Sequence, residues 1–304
     1  MNPPDHVTSP ARRARRRFRR LRPRTRPRFA GWSFNRMLPS ILTMLGLCAG
    51  LTSIRFAIDG RFGEAGAAIA VAAAIDGLDG RLARLLKATS RFGAEFDSLS
   101  DFLCFGVAPG FVLYLWSLQR FGGFGFAPCL LFAVCMALRL ARFNAALEGP
   151  AAPPKPSYLY NFFTGVPAPA GAGVVLLPLF VGLEASKQGW DGLERVTRFP
   201  LLSAAMLIGT SLLLVSSLPV WSFKNFKIPS EYVLPMLLGI GLYAALLVAD
   251  PWVALAGASL VYVGMLPFSR RSFLRLREAA EALREPEDEA WGSAPNPAKG
   301  PPPL

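Results

Sequence analysis

The chain has 304 residues, of which 52% are hydrophobic and only 17% are charged, and its formal net charge is +13. Soluble globular chains carry about 25% charged residues. This deficit and a mean hydropathy of +0.36 argue against a soluble domain and indicate a multi-pass membrane protein. The positive charge does not indicate nucleic-acid binding, because much of it lies in one arginine-rich segment, residues 12–36, without an acidic residue. Such a segment meets anionic lipid headgroups or fixes membrane topology.

The supply of histidine and cysteine narrows the chemistry further. The only histidine is His6, in the polar N-terminal segment, and the four cysteines fall in apolar segments without C-x2-C spacing. This composition excludes histidine triads and H-E-x-x-H metal sites, and it implies neither a disulfide framework nor a zinc site. Any catalysis must therefore depend on carboxylates, hydroxyls or basic groups.

In chain order, a basic N-terminal tail at residues 1–36 precedes a series of apolar runs that are each long enough to cross ~30 Å of hydrocarbon. A charged, proline-rich tail at residues 270–304 follows them. We therefore predict an all-α, polytopic membrane protein with about eight transmembrane helices in a membrane domain at residues 37–269. The predicted runs are residues 38–57, a run from about residue 64, and residues 93–118, 124–147, 165–183, 201–220, 232–249 and 251–268.

Loop charges predict the orientation of these spans. The loops after the even-numbered spans carry more lysine and arginine than the loops between them, and four arginines of the last segment fall on the same side (Arg270, Arg271, Arg275 and Arg277). Positive loops face the cytoplasm. We therefore expect both termini to be cytoplasmic in a protein of the inner cell membrane.

The most informative stretch is residues 75–101, where four aspartates interrupt apolar sequence in the pattern D-x2-D-G-x2-A-R-x8-G-x3-D-x3-D. Carboxylates are expensive at membrane depth, so such a cluster is a functional hypothesis by default. Positions three or four apart share a helix face, which places Asp76 and Asp79 on one stripe and Asp97 and Asp101 on another. A short turn joins the two helices, so the stripes can face each other at the cytoplasmic side.

Four converging carboxylates repel one another unless cations neutralise them. Oxygen ligands without histidine or cysteine favour Mg²⁺ or Mn²⁺, and four aspartates can hold two such ions, an arrangement that clamps phosphoryl oxygens. Gly80, Ala83 and Gly93 leave room for a ligand against the helices, and Arg84 could pair with a phosphate oxygen. A cation transporter is an alternative of a different class, but it gives no reason for the glycine, alanine and arginine spacing and would spread its carboxylates through the membrane.

The pattern over residues 76–101 resembles the signature of the CDP-alcohol phosphatidyltransferases, integral enzymes that displace CMP from a CDP-lipid with an alcohol. The resemblance implies that Asp76, Asp79 and Asp97 bind the metals and that Asp101 is the base, also touching a metal. It implies that Gly80, Ala83 and Gly93 pack against the cytidine of the CDP-lipid, and Arg84 stays a candidate contact to a phosphate of the same lipid. It further implies a homodimer.

Flanking segments, including ALRLARFN, FFTGVPAPA and SFKNFKIP, resemble the phosphatidylserine synthase branch, which implies L-serine and CDP-diacylglycerol as substrates. Choline, glycerol phosphate and inositol phosphate remain alternative acceptors. In LPSILT, Ser40 stands where relatives commonly carry asparagine, and Thr43, one turn on, is a candidate CDP-lipid contact. Candidate acceptor or phosphate contacts are three basic side chains, which are equally typical of topology anchors: Arg139, Arg142 and Lys224.

Overall fold

The computed structural model describes residues 34–148, 162–216, 218–221 and 229–292, and nearly all of these are helical. The prediction of a helical membrane fold is confirmed. The described residues also contain one antiparallel pair of three-residue strands, in which Phe163 lies opposite Val220. The elements are α1 Phe34–Ile58, α2 Phe62–Leu85, α3 Arg91–Asp101, α4 Ala108–Leu113, α5 Gly122–Glu148, β1 Phe162–Thr164, α6 Ala168–Val175, α7 Leu177–Gln188, α8 Asp191–Thr197, α9 Pro200–Val215, β2 Pro219–Trp221, α10 Val233–Ala249 and α11 Pro251–Gly292.

Close packing of α1 against its neighbours depends on two glycines one turn apart. A Cβ on Gly46 would lie 3.4 Å from the Ile75 side chain on α2, and a Cβ on Gly50 would lie 2.4 Å from Cys104 Sγ. Small residues at such positions let helix backbones approach closely in a membrane. These contacts bring α2 and the segment Phe102–Val107, which follows α3, together beside α1.

The apolar stretch Arg91–Ala146 folds back on itself to form two antiparallel helices. Two π-helical segments, Phe102–Val107 and Tyr114–Leu118, interrupt its first half, and the chain turns at Gly122, which has a φ of 53°. α5 then returns along the first half, so that a Cβ on Gly106 would lie 2.9 Å from Met136 Cγ. The wide π-helical turn directly after Asp101 belongs to a type of distortion that is frequent at functional sites.

The remaining helices pack around this core. α6 and α7 meet at an angle of 45°, α8 and α9 at 50°, and α11 packs along α6 and α7. Some of the largest buried side chains, including Phe105, Phe132 and Leu179, lie where these helices meet. Many large apolar side chains at the periphery are exposed, as expected where lipid takes the place of water.

Length and composition give a range for the number of membrane spans. Three helical stretches within the described residues are long and apolar enough to cross a bilayer, or five if each bent pair forms one span: Met37–Ile58, Arg91–Ala146 and Pro251–Leu276, with the pairs α6–α7 and α8–α9. α2 has sufficient length but carries five charged residues, and α10 is only 17 residues long. The protein is therefore a multi-pass helical membrane protein, and the count of about eight spans stays a prediction.

Candidate active site

Three of the four predicted aspartates form a compact carboxylate group between α2 and α3. Asp76 on α2 and Asp97 and Asp101 on α3 each offer a carboxylate oxygen, and these oxygens all lie within 4.8 Å of one another. The five-residue connection after Leu85 makes the two helices neighbours. Ser90 begins α3 by accepting a hydrogen bond from the Gly93 backbone N–H at 2.9 Å. The local sequence therefore fixes both the turn and the faces that meet.

Asp79, the fourth aspartate, has a hydrogen-bond partner of its own. Its side chain is buried, and its Oδ2 accepts a hydrogen bond of 2.8 Å from the Thr43 hydroxyl on α1. It nevertheless lines the same small cavity as the other three aspartates, together with Thr43, Ser100 and Cys104. The Thr43 contact orients the Asp79 carboxylate towards this cavity.

In the described part of the chain, the carboxylates of this group have no directly paired cation. Within the described residues, the ion pairs all lie elsewhere, so that no lysine or arginine pairs with any of the four aspartates. Half-buried carboxylates without counterions are strongly unfavourable. The chemistry of the donors fits a hard divalent cation, because the convergent groups are carboxylates. The Cys104 thiol in the cavity wall is directed at the Gly46 carbonyl oxygen, 3.5 Å away.

A wider, open cleft adjoins the carboxylate group. The predicted small residues Gly80, Ala83 and Gly93 line it, together with Ser40 and Thr43 of α1. No atom lies within 4 Å of the place where a Cβ on Gly80 would sit, so this glycine faces open space. Asp79 and Asp97 border both the cleft and the small cavity. A ligand in the cleft would therefore approach the carboxylates directly.

The predicted basic contacts fall in different surroundings. Arg84 is exposed, and its Nε donates a hydrogen bond of 3.0 Å to the Gly80 carbonyl of its own helix. Arg142 donates one of 3.2 Å to the Val215 carbonyl at the end of α9. Arg139 is half-buried on α5, near Asp101. Lys224 lies outside the described residues, so its predicted contact stays a prediction, as do the ligand contacts of the other three.

Two polar features of the structure were not predicted from the sequence. Asn144 Nδ2 on α5 donates a hydrogen bond of 3.0 Å to Ser98 Oγ, which stands between Asp97 and Asp101 on α3. The sequence feature that could have indicated this contact is the polar Ser98 between two aspartates in D-S-L-S-D. Tyr262 on α11 places its hydroxyl group in a buried position, and only its polar hydroxyl in an apolar run hinted at a role.

Comparison with known proteins agrees with this geometry. The family described as CDP-alcohol phosphatidyltransferase matches residues 36–215, which include all four aspartates. The chain belongs to this family. A second description, CDP-alcohol phosphatidyltransferase 2, matches residues 231–267, over α10 and the first part of α11. The family is one of enzymes, and this membership gives the carboxylate group and the cleft an enzymatic context.

Curated relatives narrow the comparison within the family. A protein of Mycobacterium bovis named CDP-diacylglycerol–serine O-phosphatidyltransferase is 39% identical over 236 residues, which cover 78% of this chain and 79% of the relative. A Mycobacterium leprae protein of the same name is 41% identical over 233 residues, 77% of this chain and 74% of the relative. A Helicobacter pylori protein, also of that name, is 36% identical over 191 residues, 63% and 74% of the two chains. The resemblance to the phosphatidylserine synthase branch is thereby confirmed.

Proposed function

We propose that the chain transfers the phosphatidyl group of CDP-diacylglycerol to the hydroxyl of L-serine, giving phosphatidylserine and CMP. The observation that carries the proposal is the meeting of Asp76, Asp97 and Asp101 within 4.8 Å beside a cleft lined by small residues. The names of the relatives from three bacteria support serine as the acceptor.

Asp101 is the proposed general base. It accepts the proton of the serine hydroxyl, whose oxygen then forms a bond to the phosphorus that carries diacylglycerol. The bond from that phosphorus to the bridging oxygen of CMP breaks, and CMP leaves with the electron pair. Asp101 suits this role because it is the last residue of α3, is half-buried and lies next to Asp76 and Asp97.

Asp76, Asp79, Asp97 and Asp101 would hold two divalent cations, Mg²⁺ or Mn²⁺. When bound, such ions neutralise the charge on phosphoryl oxygens and on the leaving phosphate. Thr43 contributes by fixing the orientation of Asp79 through its hydrogen bond, since groups behind the ligands orient them. The four side chains would supply carboxylate oxygens, and water and substrate phosphate oxygens commonly complete the coordination of such ions.

The cleft beside Asp79 and Asp97 is the proposed site for the cytidine and pyrophosphate of the CDP-lipid. Gly80, Ala83 and Gly93 line it without bulky side chains, which allows a flat base to lie against the helix backbones. Ser40 and Thr43 offer hydroxyls from α1. Arg84, exposed on the same helix as Gly80 and Ala83, is the proposed phosphate contact, and it would need to leave the Gly80 carbonyl to make that contact.

We place the enzyme in the inner cell membrane with its site and both termini on the cytoplasmic side, because loop arginines and lysines accumulate on that side. Serine and CDP-lipid can meet there. The clustering of carboxylates at one end of α2 and α3 favours an enzyme over the alternative cation transporter, whose carboxylates would follow a path through the membrane. A homodimer is the proposed assembly.

The test is to incubate the purified protein with CDP-diacylglycerol, Mn²⁺ or Mg²⁺, and a panel of labelled alcohols while CMP release is followed. L-Serine should support release and become labelled lipid, whereas choline, glycerol phosphate and inositol phosphate should not. Chelation of the divalent ion should stop the reaction, and either metal added back should restore it. If CMP release depends on another alcohol, that alcohol and not serine is the acceptor. If no alcohol supports CMP release, the proposed reaction is wrong.

A further inference from the structure

Two buried polar atoms outside the carboxylate group have no hydrogen-bond partner within the described part of the chain. They are Nε of Arg139 on α5 and the hydroxyl oxygen of Tyr262 on α11. Buried polar groups in proteins are almost always satisfied, and exceptions call for an explanation such as a ligand. Arg139 also lies close enough to interact electrostatically with both Asp101 and Tyr262. Arg139 is therefore near both the proposed base and the second unpaired donor.

The packing of α5 against α3 fixes the position of Arg139. On one side of it, Asn144 bonds to Ser98 at 3.0 Å, and on the other Met136 packs tightly against Gly106. Because the two segments run antiparallel, Arg139 lies between these two contacts on α5, as Asp101 does on the facing segment. The guanidinium is therefore held at the level of the proposed base by contacts on both sides.

Tyr262 approaches the same region from α11. It lines an apolar cavity together with Ala73 and Phe105, residues one turn away from Asp76 and Asp101 respectively. One turn earlier on α11, the Ser259 hydroxyl donates a hydrogen bond of 3.0 Å to the Gly173 carbonyl of α6. This contact anchors α11 beside α6 and sets the depth at which the Tyr262 hydroxyl lies.

We propose that Arg139 and Tyr262 form the subsite that binds the carboxylate of the amino-acid acceptor. This inference rests on the proposed function, since it concerns the acceptor of that reaction. A guanidinium N–H and a phenolic O–H are both donors, and a carboxylate supplies the two acceptor oxygens that they lack. In serine only two carbon atoms separate the hydroxyl oxygen from the carboxylate carbon. A hydroxyl placed at Asp101 thus brings the carboxylate to the groups beside it.

The subsite gives a physical reason for selecting an amino acid over a simple amino alcohol. Ethanolamine has the hydroxyl and the ammonium group of serine but no carboxylate, so its binding would leave both donors buried and unpaired. Sites built to bond a polar group strongly reject analogues that lack it. A phosphate of the lipid substrate shares the anionic chemistry, so the experiment must separate acceptor binding from lipid binding.

The experiment measures kcat and KM for L-serine, ethanolamine and CDP-diacylglycerol in wild type, Arg139→Gln and Tyr262→Phe. We expect the KM for serine to rise about 100-fold in Arg139→Gln and about tenfold in Tyr262→Phe, the range for hydrogen bonds to charged groups. The KM for CDP-diacylglycerol should stay within about twofold, and the preference for serine over ethanolamine should fall by the same factors as the affinity for serine.

Two variants serve as matched controls. Arg55→Gln removes an exposed arginine whose partner is Asp59 on the same helix, and Tyr243→Phe removes a hydroxyl that donates to the Ala254 carbonyl at 3.5 Å. Neither side chain holds a buried donor without a partner, which is the property that distinguishes Arg139 and Tyr262. Both controls should retain the wild-type KM for serine.

The outcomes separate this inference from the function on which it rests. A rise in the KM for CDP-diacylglycerol alone would assign the two donors to the lipid phosphate, and equal losses with serine and ethanolamine would assign them to structure; either result overturns the subsite. Tyr262→Phe keeps the aromatic ring, so it decides the matter even if Arg139→Gln does not fold. Absence of serine-dependent CMP release in the wild type would instead overturn the proposed function itself.

Discussion

Two polar regions lie towards opposite ends of α2, and they differ in how their charges are balanced. At the N-terminal end, where Phe62 packs against Trp116 with ring centroids 5.0 Å apart, charged side chains have partners. Arg198 stacks over the Trp116 ring at 3.9 Å and pairs with Glu194, and Lys187 pairs with Asp250. At the other end, no ion pair within the described residues involves any of the four aspartates.

This difference separates charged groups that stabilise the fold from carboxylates whose charge only a bound ligand would neutralise. The ion pairs near the N-terminal end of α2 should contribute modestly to stability. Their removal should not change the catalytic activity. Unpaired carboxylates oppose folding until cations bind, and proteins retain such arrangements chiefly where function requires them. Substitutions at the two ends should therefore affect different measurements.

The largest effect is expected at the carboxylate group. Asp97→Ala and Asp101→Ala should each lower the transfer rate at least about 10³-fold, because one removes a metal ligand and the other the base. In the presence of a chelator, neither should lower the thermal unfolding temperature, since each removes a repelling charge. Asp250→Ala, at the paired end, is the control and should keep wild-type activity. If either site variant keeps full activity, the substituted aspartate has no role in the reaction.

A smaller effect is expected where the cleft needs open space. Gly80→Leu should raise the KM for CDP-diacylglycerol about tenfold or more, because the new side chain enters the cleft that Gly80 lines. Gly77→Leu is matched to it, since Gly77 lies on the same helix, also has no atom within 4 Å of its Cβ position and does not line the cleft. Equal KM values for the two variants would contradict a nucleotide site at Gly80.

The contact behind Asp79 predicts an effect on metal affinity. Thr43→Val removes the hydroxyl that bonds Asp79 at 2.8 Å while keeping the shape of the side chain. The Mn²⁺ concentration for half-maximal activity should rise about tenfold, as for other groups that orient metal ligands. The activity at saturating Mn²⁺ should recover most of its wild-type value. A rise in the KM for CDP-diacylglycerol with unchanged metal dependence would show that Thr43 acts on the lipid instead.

The smallest effect on activity is expected at the paired end. Arg198→Gln removes the cation–π contact with Trp116 and the ion pair with Glu194. It should lower stability by about 1 kcal/mol, seen as a fall in the thermal unfolding temperature in detergent, with kcat and KM for serine unchanged. Loss of activity at full stability would break the contrast between the two ends.

The sequence interpretation succeeded for properties that depend on one helix or on two neighbours in the chain. Helical spacing predicted which aspartates share a face, and the short turn after Leu85 predicted that α2 and α3 meet. The small residues Gly80, Ala83 and Gly93 proved to line one cleft. These features follow from the period of the helix and from the lack of side-chain volume, so they can be predicted without tertiary contacts.

Features that depend on distant contacts could not be predicted in the same way. Spacing alone does not separate Asp79 from the other aspartates; Thr43, thirty-six positions earlier in the chain, does so by bonding it. Arg84 fits a phosphate contact in the pattern, yet its side chain turns to the Gly80 carbonyl. The β1–β2 pair joins segments more than fifty residues apart, and no local signal predicted it.

The amino-acid sequence by itself indicated a helical membrane protein with a carboxylate site, because apolar periodicity and the spacing of four aspartates are local properties of the chain. The family followed from the resemblance of that pattern to a known signature. Only the tertiary structure decided which groups surround those aspartates. The sequence marked Arg139 of α5 as a candidate contact, but it did not indicate that Arg139 meets Asp101 and Tyr262 of α11. Helical periodicity fixes the face of a residue, whereas its neighbours depend on how separate helices pack.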